Sequence, residues 1–214
     1  MQNILLFILT AVISVTGFSS NSLGERENFD SILQEGDLIF HRSTSPQSAA
    51  IGEATGSSWS HVGIIVNRNR SWYVVEARQG VEVTALKSFI DRGKDKQYKI
   101  FRFPAFANSV SKLNLYQVLA KYMKKPYDIY FEFSNDRIYC SELTYKVMLE
   151  LTGQKIGTVN KMKELRLDGP HVKELIKRRL TDLGKELDPE EPIVTPISQM
   201  LDSNLSLILS VPPS

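Results

Sequence analysis

"SHVGIIVNRNRSWYVVEA", residues 60–77, is two β-rich runs around a polar turn. Valine, isoleucine, tyrosine and tryptophan suit a pleated, half-buried surface, and the intervening Asn and Arg residues suit a turn, so the stretch reads as a β-hairpin. A turn centred on Arg68-Asn69 sets Val66 opposite Ser71, Gly63 opposite Val74 and His61 opposite Glu76. Directly opposed side chains share a sheet face, with Cβ atoms about 4.5–5.5 Å apart. A carboxylate then reaches an imidazole, fixes its tautomer and stabilises its charged form. Glutamate is uncommon in strands, and this one follows "YVV" directly. A one-residue slip would put the two groups on opposite faces.

The flanking sequence extends the β pattern. "GDLIF" (36–40) is a Gly-Asp turn feeding a strand from Leu38 to His41. "SPQSAAIGEATG" (45–56) reads as a short helix, "GVEVTAL" (80–86) as a third strand and "LKSFIDRG" (86–93) as a short helix closed by Gly93. "YKIFRF" (98–103) is a fourth strand, ended at Pro104. A helix is expected from Val110 to Lys124, with apolar positions Leu113, Val118, Leu119 and Tyr122 and a stop at Pro126. Another runs from near Cys140 to Gly153, a natural C′ glycine. "PHVKELIKRRL" (170–180) is a third helix, "LDPEEP" (187–192) a loop, and "TPISQMLDSNLSLILS" (195–210) a short helix with a final strand. Clustered antiparallel strands flanked by helices make this an α+β chain.

At 214 residues, 42% hydrophobic and 23% charged, the chain suits a single domain with its own core. The net charge of +2 and the absence of any dense basic track beyond "KELIKRRL" disfavour nucleic-acid binding. Residues 1–20 carry no charged side chain and are apolar from Ile4 to Val15. That run is short of the roughly 20 residues of a membrane span but fits a secretory signal. The expectation is a signal peptide over 1–20 and a domain over 21–214, exported to the periplasm or secreted, with no transmembrane span in the mature chain.

"RIYCSELTYKVM" (137–148) holds the only cysteine. An exported protein usually keeps cysteines in pairs, so a single one is either an inert core residue or a working thiol. Helical spacing puts Cys140, Leu143, Thr144, Val147 and Leu151 on one face, with Glu142, Lys146 and Glu150 largely elsewhere. At a helix N-terminus, unpaired N–H groups and the dipole lower a thiol's pKa and can receive an oxyanion. The residues alone leave both readings open. Of three histidines, His171 reads as a surface residue, His41 ends a strand, and His61 already faces Glu76; Cys140, His61 and Glu76 thus make a nucleophile–base–orienter set. No HExxH or CxxC spacing, glycine-rich phosphate loop or GxSxG elbow appears, so no metal and no cofactor is expected.

"GDLIF", "SWSHVGIIV", "YVVEA", "GVEVTALKSFI" and "YDIYFEFSNDRIYCSEL", in that order, resemble the permuted papain-like cysteine hydrolases. More narrowly, the chain resembles the YiiX/YebB-like permuted amidase family within the NlpC-type superfamily, from about Gly36 to Gly153. The resemblance implies a circularly permuted papain-like (NlpC-type) fold, an antiparallel sheet or barrel packed on the helix that carries the nucleophile. By position it implies Cys140 as nucleophile, His61 as base and Glu76 as the polar third residue, with Tyr139 and Trp59 as oxyanion or substrate positions. The function implied is thiol-dependent hydrolysis of a peptide, cell-wall or acyl-amide substrate. Acyl transfer through the same thioester and a non-catalytic ligand-binding module are the other readings. The 154–194 segment has no match in the resemblance and is expected to shape a substrate groove.

Overall fold

The computed structural model describes residues 29–109 and 112–213. The expected signal peptide over 1–20 lies outside them. The chain divides into two compact units, 1–32 and 33–214. Residues 29–32 of the first are helical, and the second contains every element named below.

Six strands form one sheet in the order β4-β3-β2-β1-β5-β8, every neighbouring pair antiparallel. They are β1 (Leu38–Ser43), β2 (His61–Arg68), β3 (Ser71–Ala77), β4 (Val81–Ala85), β5 (Gly93–Arg102) and β8 (Ser206–Val211). The sheet is open, with β4 and β8 as its edges, so the barrel alternative does not hold. A separate two-stranded ladder joins β6 (Val159–Lys161) to β7 (Pro192–Val194). The helices are α1 (Ser48–Thr55), α2 (Leu86–Asp91), α3 (Pro104–Ser109), α4 (Lys112–Tyr122), α5 (Cys140–Thr152), α6 (Pro170–Arg179) and α7 (Pro196–Met200). No helix among the described residues is long and apolar enough to cross a membrane.

The strands are buried on both faces where they cross the middle of the sheet. Leu38, Phe40, Val62, Ile64, Val66 and Val75 pack in one core with Leu143 and Val147 of α5 and Leu115 and Val118 of α4. The alternate residues Ile39, Ile65, Val74 and Ile100 are equally buried, as is Phe89 of α2. Each such side chain withdrawn from water contributes about 1.5–3 kcal/mol, which pins the register of β1, β2 and β3.

Two sequence expectations shift here. The α4 face is built from Leu115, Val118, Leu119 and Tyr122, while Leu113 is 66% exposed. The segment "LKSFIDRG" ends its helix at Asp91, and Gly93 begins β5 rather than closing the helix. Gly153 does end α5, with φ 72°.

Candidate active site

The β2–β3 hairpin turns on Asn69 and Arg70, both at positive φ (52° and 62°). Two left-handed residues make the tight two-residue turn that matches the right-handed twist of the flanking strands. Arg68 therefore pairs with Ser71 and Ile64 with Val75, a register two residues away from the one centred on Arg68-Asn69. The strand period is two, so the shift returns every side chain to its expected face. Glu76 meets His61 diagonally rather than head-on, and His61 Nε2 lies 2.6 Å from Glu76 Oε2. Gly63 makes the approach possible: a Cβ there would stand 2.3 Å from Val74 Cγ1 and 3.4 Å from Glu76 Cβ.

Glu76 is fully buried and fully engaged. Thr84 of β4 donates to Oε1 at 2.6 Å, and Arg92 Nη2 lies 2.7 Å from both carboxylate oxygens. Burial alone would raise its pKa, but His61, Thr84 and Arg92 together lower it to about 2. Arg92 follows the last residue of α2, so this short helix sets the guanidinium over the sheet face that carries His61 and Glu76. Its guanidinium also stands 5.5 Å from the Phe89 ring centre.

Cys140 is the first residue of α5 and is 3% exposed. Its extended predecessor, Tyr139, is the helix N-cap. Burial pushes the thiol up, but the His61 charge and hydrogen bond, aided by backbone groups of Val62 and Ser141, bring its pKa below the ordinary thiol value. For His61, burial favours the neutral ring; the Cys140 thiolate outweighs it, with Glu76 adding to the effect, and the imidazole is held well above its usual range. Because Nε2 is committed to Glu76, Nδ1 is left for the sulfur. With the thiol's proton on His61, the charges alternate along one row: Arg92 positive, Glu76 negative, His61 positive, Cys140 negative.

His41 pairs with His61 across β1 and β2, with ring centres 5.1 Å apart. It stacks on Phe89 at 4.3 Å, and its Nδ1 lies 3.1 Å from the Phe89 carbonyl oxygen, the tautomer that donates. Burial, followed by the neighbouring His61 charge, lowers its pKa to about 3. The two histidines thus divide into one neutral ring and one charged ring. His171, as the sequence suggests, is an exposed residue, paired with Glu53 at 2.6 Å.

Tyr139 and Trp59, the two oxyanion or substrate candidates, are engaged elsewhere through their side chains. The Tyr139 side chain is buried, its hydroxyl accepting from the Val194 N–H at 3.1 Å. Trp59 packs against the core beneath Lys99, 5.1 Å from its ring centre, and is not part of the cleft wall around His61. The cleft instead contains Tyr127. Burial and the Cys140 charge hold the Tyr127 phenol protonated far above its usual pKa. Its oxygen accepts from Gln47 Nε2 at 2.8 Å, which leaves the phenolic proton free to be donated. Tyr127 sits in the quoted stretch "YDIYF", but no local pattern distinguishes it from Tyr130; only the tertiary fold does.

The start of α5 is clamped by the end of β7 and by α7. Ser141 Oγ donates to Val194 O at 2.9 Å, and Gln199 Nε2 donates to Ser141 O at 2.9 Å. The same amide accepts from Thr144 Oγ1 at 2.8 Å. Glu142, placed by helical spacing on a polar face, is fully buried. Its Oε1 lies 2.6 Å from Lys146 Nζ and its Oε2 accepts the Tyr139 N–H at 3.3 Å. Burial raises its pKa to about 7.

Among the described residues no group of three or more His, Cys, Asp or Glu side chains is arranged to hold a metal ion. His41 Nδ1 and the whole Glu76 carboxylate are already occupied by protein partners.

The family described as permuted papain-like amidase enzymes, YaeF/YiiX, C92, matches residues 32–209. The uncharacterized protein YiiX of Escherichia coli strain K12 is 37% identical over 191 residues, spanning 89% of this chain and 88% of that protein. The crystal structure of yiiX from Escherichia coli O157:H7, described as a metalloprotein, superposes with a TM-score of 0.76 at 37% identity, over 83% of this chain and 97% of that one. A family match across most of the chain, a relative of nearly equal length and a shared fold agree: the chain belongs to the permuted papain-like amidases of the YaeF/YiiX type.

Proposed function

We propose that the protein is an exported thiol hydrolase that cleaves amide bonds, in peptides such as those of the cell wall, through an acyl-enzyme on Cys140. The observation that supports this most is the alternating row Arg92–Glu76–His61–Cys140, ending at a sulfur on a helix N-terminus. The thiolate attacks the scissile carbonyl carbon and its oxygen becomes an oxyanion. The Cys140 N–H and the Tyr127 hydroxyl are the donors at hand for it. His61 passes its proton to the amide nitrogen, the C–N bond breaks and the amine leaves. Water then gives a proton to His61 and attacks the thioester; the sulfur departs as thiolate, and the imidazolium is restored. Glu76 keeps the ring oriented throughout.

Incubation with purified cell-wall peptides, followed by intact mass measurement, tests the reading. It expects an acyl adduct on Cys140 and released amine, both absent in Cys140→Ala; undiminished amine release by that variant would refute it. Export rests on the apolar run from Ile4 to Val15. It predicts a chain that begins near residue 21 outside the cytoplasm, and an uncleaved cytoplasmic chain would remove it.

One observation favours a second substrate, an N-acyl amide with a long chain. An apolar cavity of about 80 Å³ adjoins the cleft, sharing Ile129, Leu175 and Arg179 with it and lined further by Ile51, Val172 and Ile176. Faster turnover of long-chain than of short-chain N-acyl amides would support this, and equal turnover would count against it.

A further inference from the structure

The cleft in front of His61 is unevenly charged. Its walls carry Arg78, Arg92, Arg137, Arg178 and Arg179 and no aspartate or glutamate, although the whole chain is only +2. Three of the five have acid partners: Arg92 on Glu76, Arg78 on Glu82 at 2.7 Å, and Arg178 on Glu174 at 3.4 Å. Among the described residues, Arg137 and Arg179 have no such ion pair. Arg137 is exposed and stands 5.7 Å from the Tyr130 ring centre.

Arg179 is half-buried in α6. It donates to the Ile129 carbonyl at 3.3 Å and to Gln47 Oε1 at 2.7 Å, with Phe131 at 5.7 Å. A guanidinium partly withdrawn from water without a direct ion pair is costly unless another anion meets it, and the buried Asp128 acts on it only as the weakest of several charges. Burial, the largest influence on it, weakens its hold on its proton. Arg179 is also wired to the reaction centre. The Gln47 amide that accepts from it donates to Tyr127, and Tyr127 feels the Cys140 charge. A group bound at Arg179 is therefore separated from the thiolate by only two side chains.

We propose that the substrate carries an anionic group, a carboxylate or a phosphate, close to the scissile amide, and that Arg137 and Arg179, with Arg178 at the rim, receive it. The planar fork of each guanidinium matches both anions. The segment that sequence reading could not match thus supplies specificity through α6. This inference rests on Cys140 being the nucleophile, and its test separates the two claims.

Iodoacetate and iodoacetamide both alkylate a thiolate, forming an S–C bond as iodide leaves, and they differ in charge. The ratio of their rates at Cys140 reads the field of the cleft. Arg137→Gln and Arg179→Gln are each expected to lower the iodoacetate-to-iodoacetamide ratio about fivefold, and Arg137→Lys to keep most of it. Arg137 is exposed, so its variants do not put the fold at stake. Calorimetric titration of Cys140→Ser with succinate and with inorganic phosphate reads the site without the thiol. Heat from one of them, weakened at least fivefold by adding Arg137→Gln, supports the inference and names the preferred anion. A ratio that neither glutamine substitution moves, with no heat from either anion, overturns it. Anion binding that Arg137→Gln abolishes, alongside a Cys140 no more reactive than free cysteine, leaves the anion site standing and removes the hydrolase reading.

Discussion

Arg92 governs how the buried Glu76 carboxylate behaves. With two of its hydrogen bonds taken away, burial is opposed only by His61 and Thr84, and the carboxylate pKa rises. Arg92→Gln is therefore expected to lower kcat by roughly tenfold with little change in KM, and to shift the acid limb of the rate profile to higher pH. Glu76→Gln removes the charge itself, destabilises the imidazolium and is expected to cost about a hundredfold or more in kcat/KM. Tyr127→Phe deletes a neutral donor beside the thiolate; steady-state kinetics should show a loss of about 10²-fold in kcat. Cys140, His61 and Glu76 were legible because each breaks a local expectation: a lone cysteine at a helix start, a histidine before a glycine strand, a glutamate in an apolar run. Arg92, Tyr127 and Gln199 break none. An arginine at a helix end, a tyrosine among tyrosines and a glutamine in a tail acquire meaning only from what the fold brings beside them.

Between β2 and β3, Gly63 sets how closely the strands' side chains can pass. A methyl group there would meet Val74 at 2.3 Å, closer than atoms tolerate, and would crowd the Val75 carbonyl oxygen at 3.0 Å, pushing on the strand that carries Glu76. Gly63→Ala should therefore cost about 1–3 kcal/mol in chemical denaturation and slow Cys140 alkylation by displacing Glu76 from His61. A variant as stable and as reactive as the parent would contradict this packing. The hairpin itself was readable, but its register was two residues off, because Asn-Arg is a weaker turn signature than Asn-Gly. The error left the site intact, since a shift of one full strand period conserves the face. The α4 face was misjudged for a related reason: several apolar residues in one helix permit more than one stripe, and tertiary packing chose Leu115 over Leu113. Helix α5 is amphipathic in sequence but buried almost all round over its first two turns, so helical spacing could not announce that Glu142 would be buried with Lys146.

For the molecule as a whole, the two opposed histidines couple the site to stability in opposite senses. His41 has a folded pKa near 3 against an ordinary 6.5. The unfolded chain takes up its proton first, so stability falls as pH drops from 6.5 towards 3, by about 1.4 kcal/mol per pH unit from this group. His61, raised in the fold, contributes stability that is fully present below 6.5 and is lost as pH rises through its elevated folded pKa. Urea denaturation between neutral pH and pH 5 should show the His41 slope in the parent protein, and His41→Phe should lack it. The order of strands and helices from Gly36 to Gly153 was legible because hydrophobic period and turn residues mark it. Helix α6 and the groove-shaping part expected of its segment were legible as well; the open sheet and the arginines that α6 turns towards the cleft were not, because closure and long-range docking leave no local pattern. The chemistry depends on Cys140 resting as a thiolate paired with the His61 imidazolium, a state read by the thiolate's ultraviolet absorbance across pH, with Cys140→Ser as blank. In the parent protein the absorbance should appear at a pH clearly below the ordinary thiol range. Absorbance appearing only near the ordinary thiol pKa of about 8.5 would contradict it.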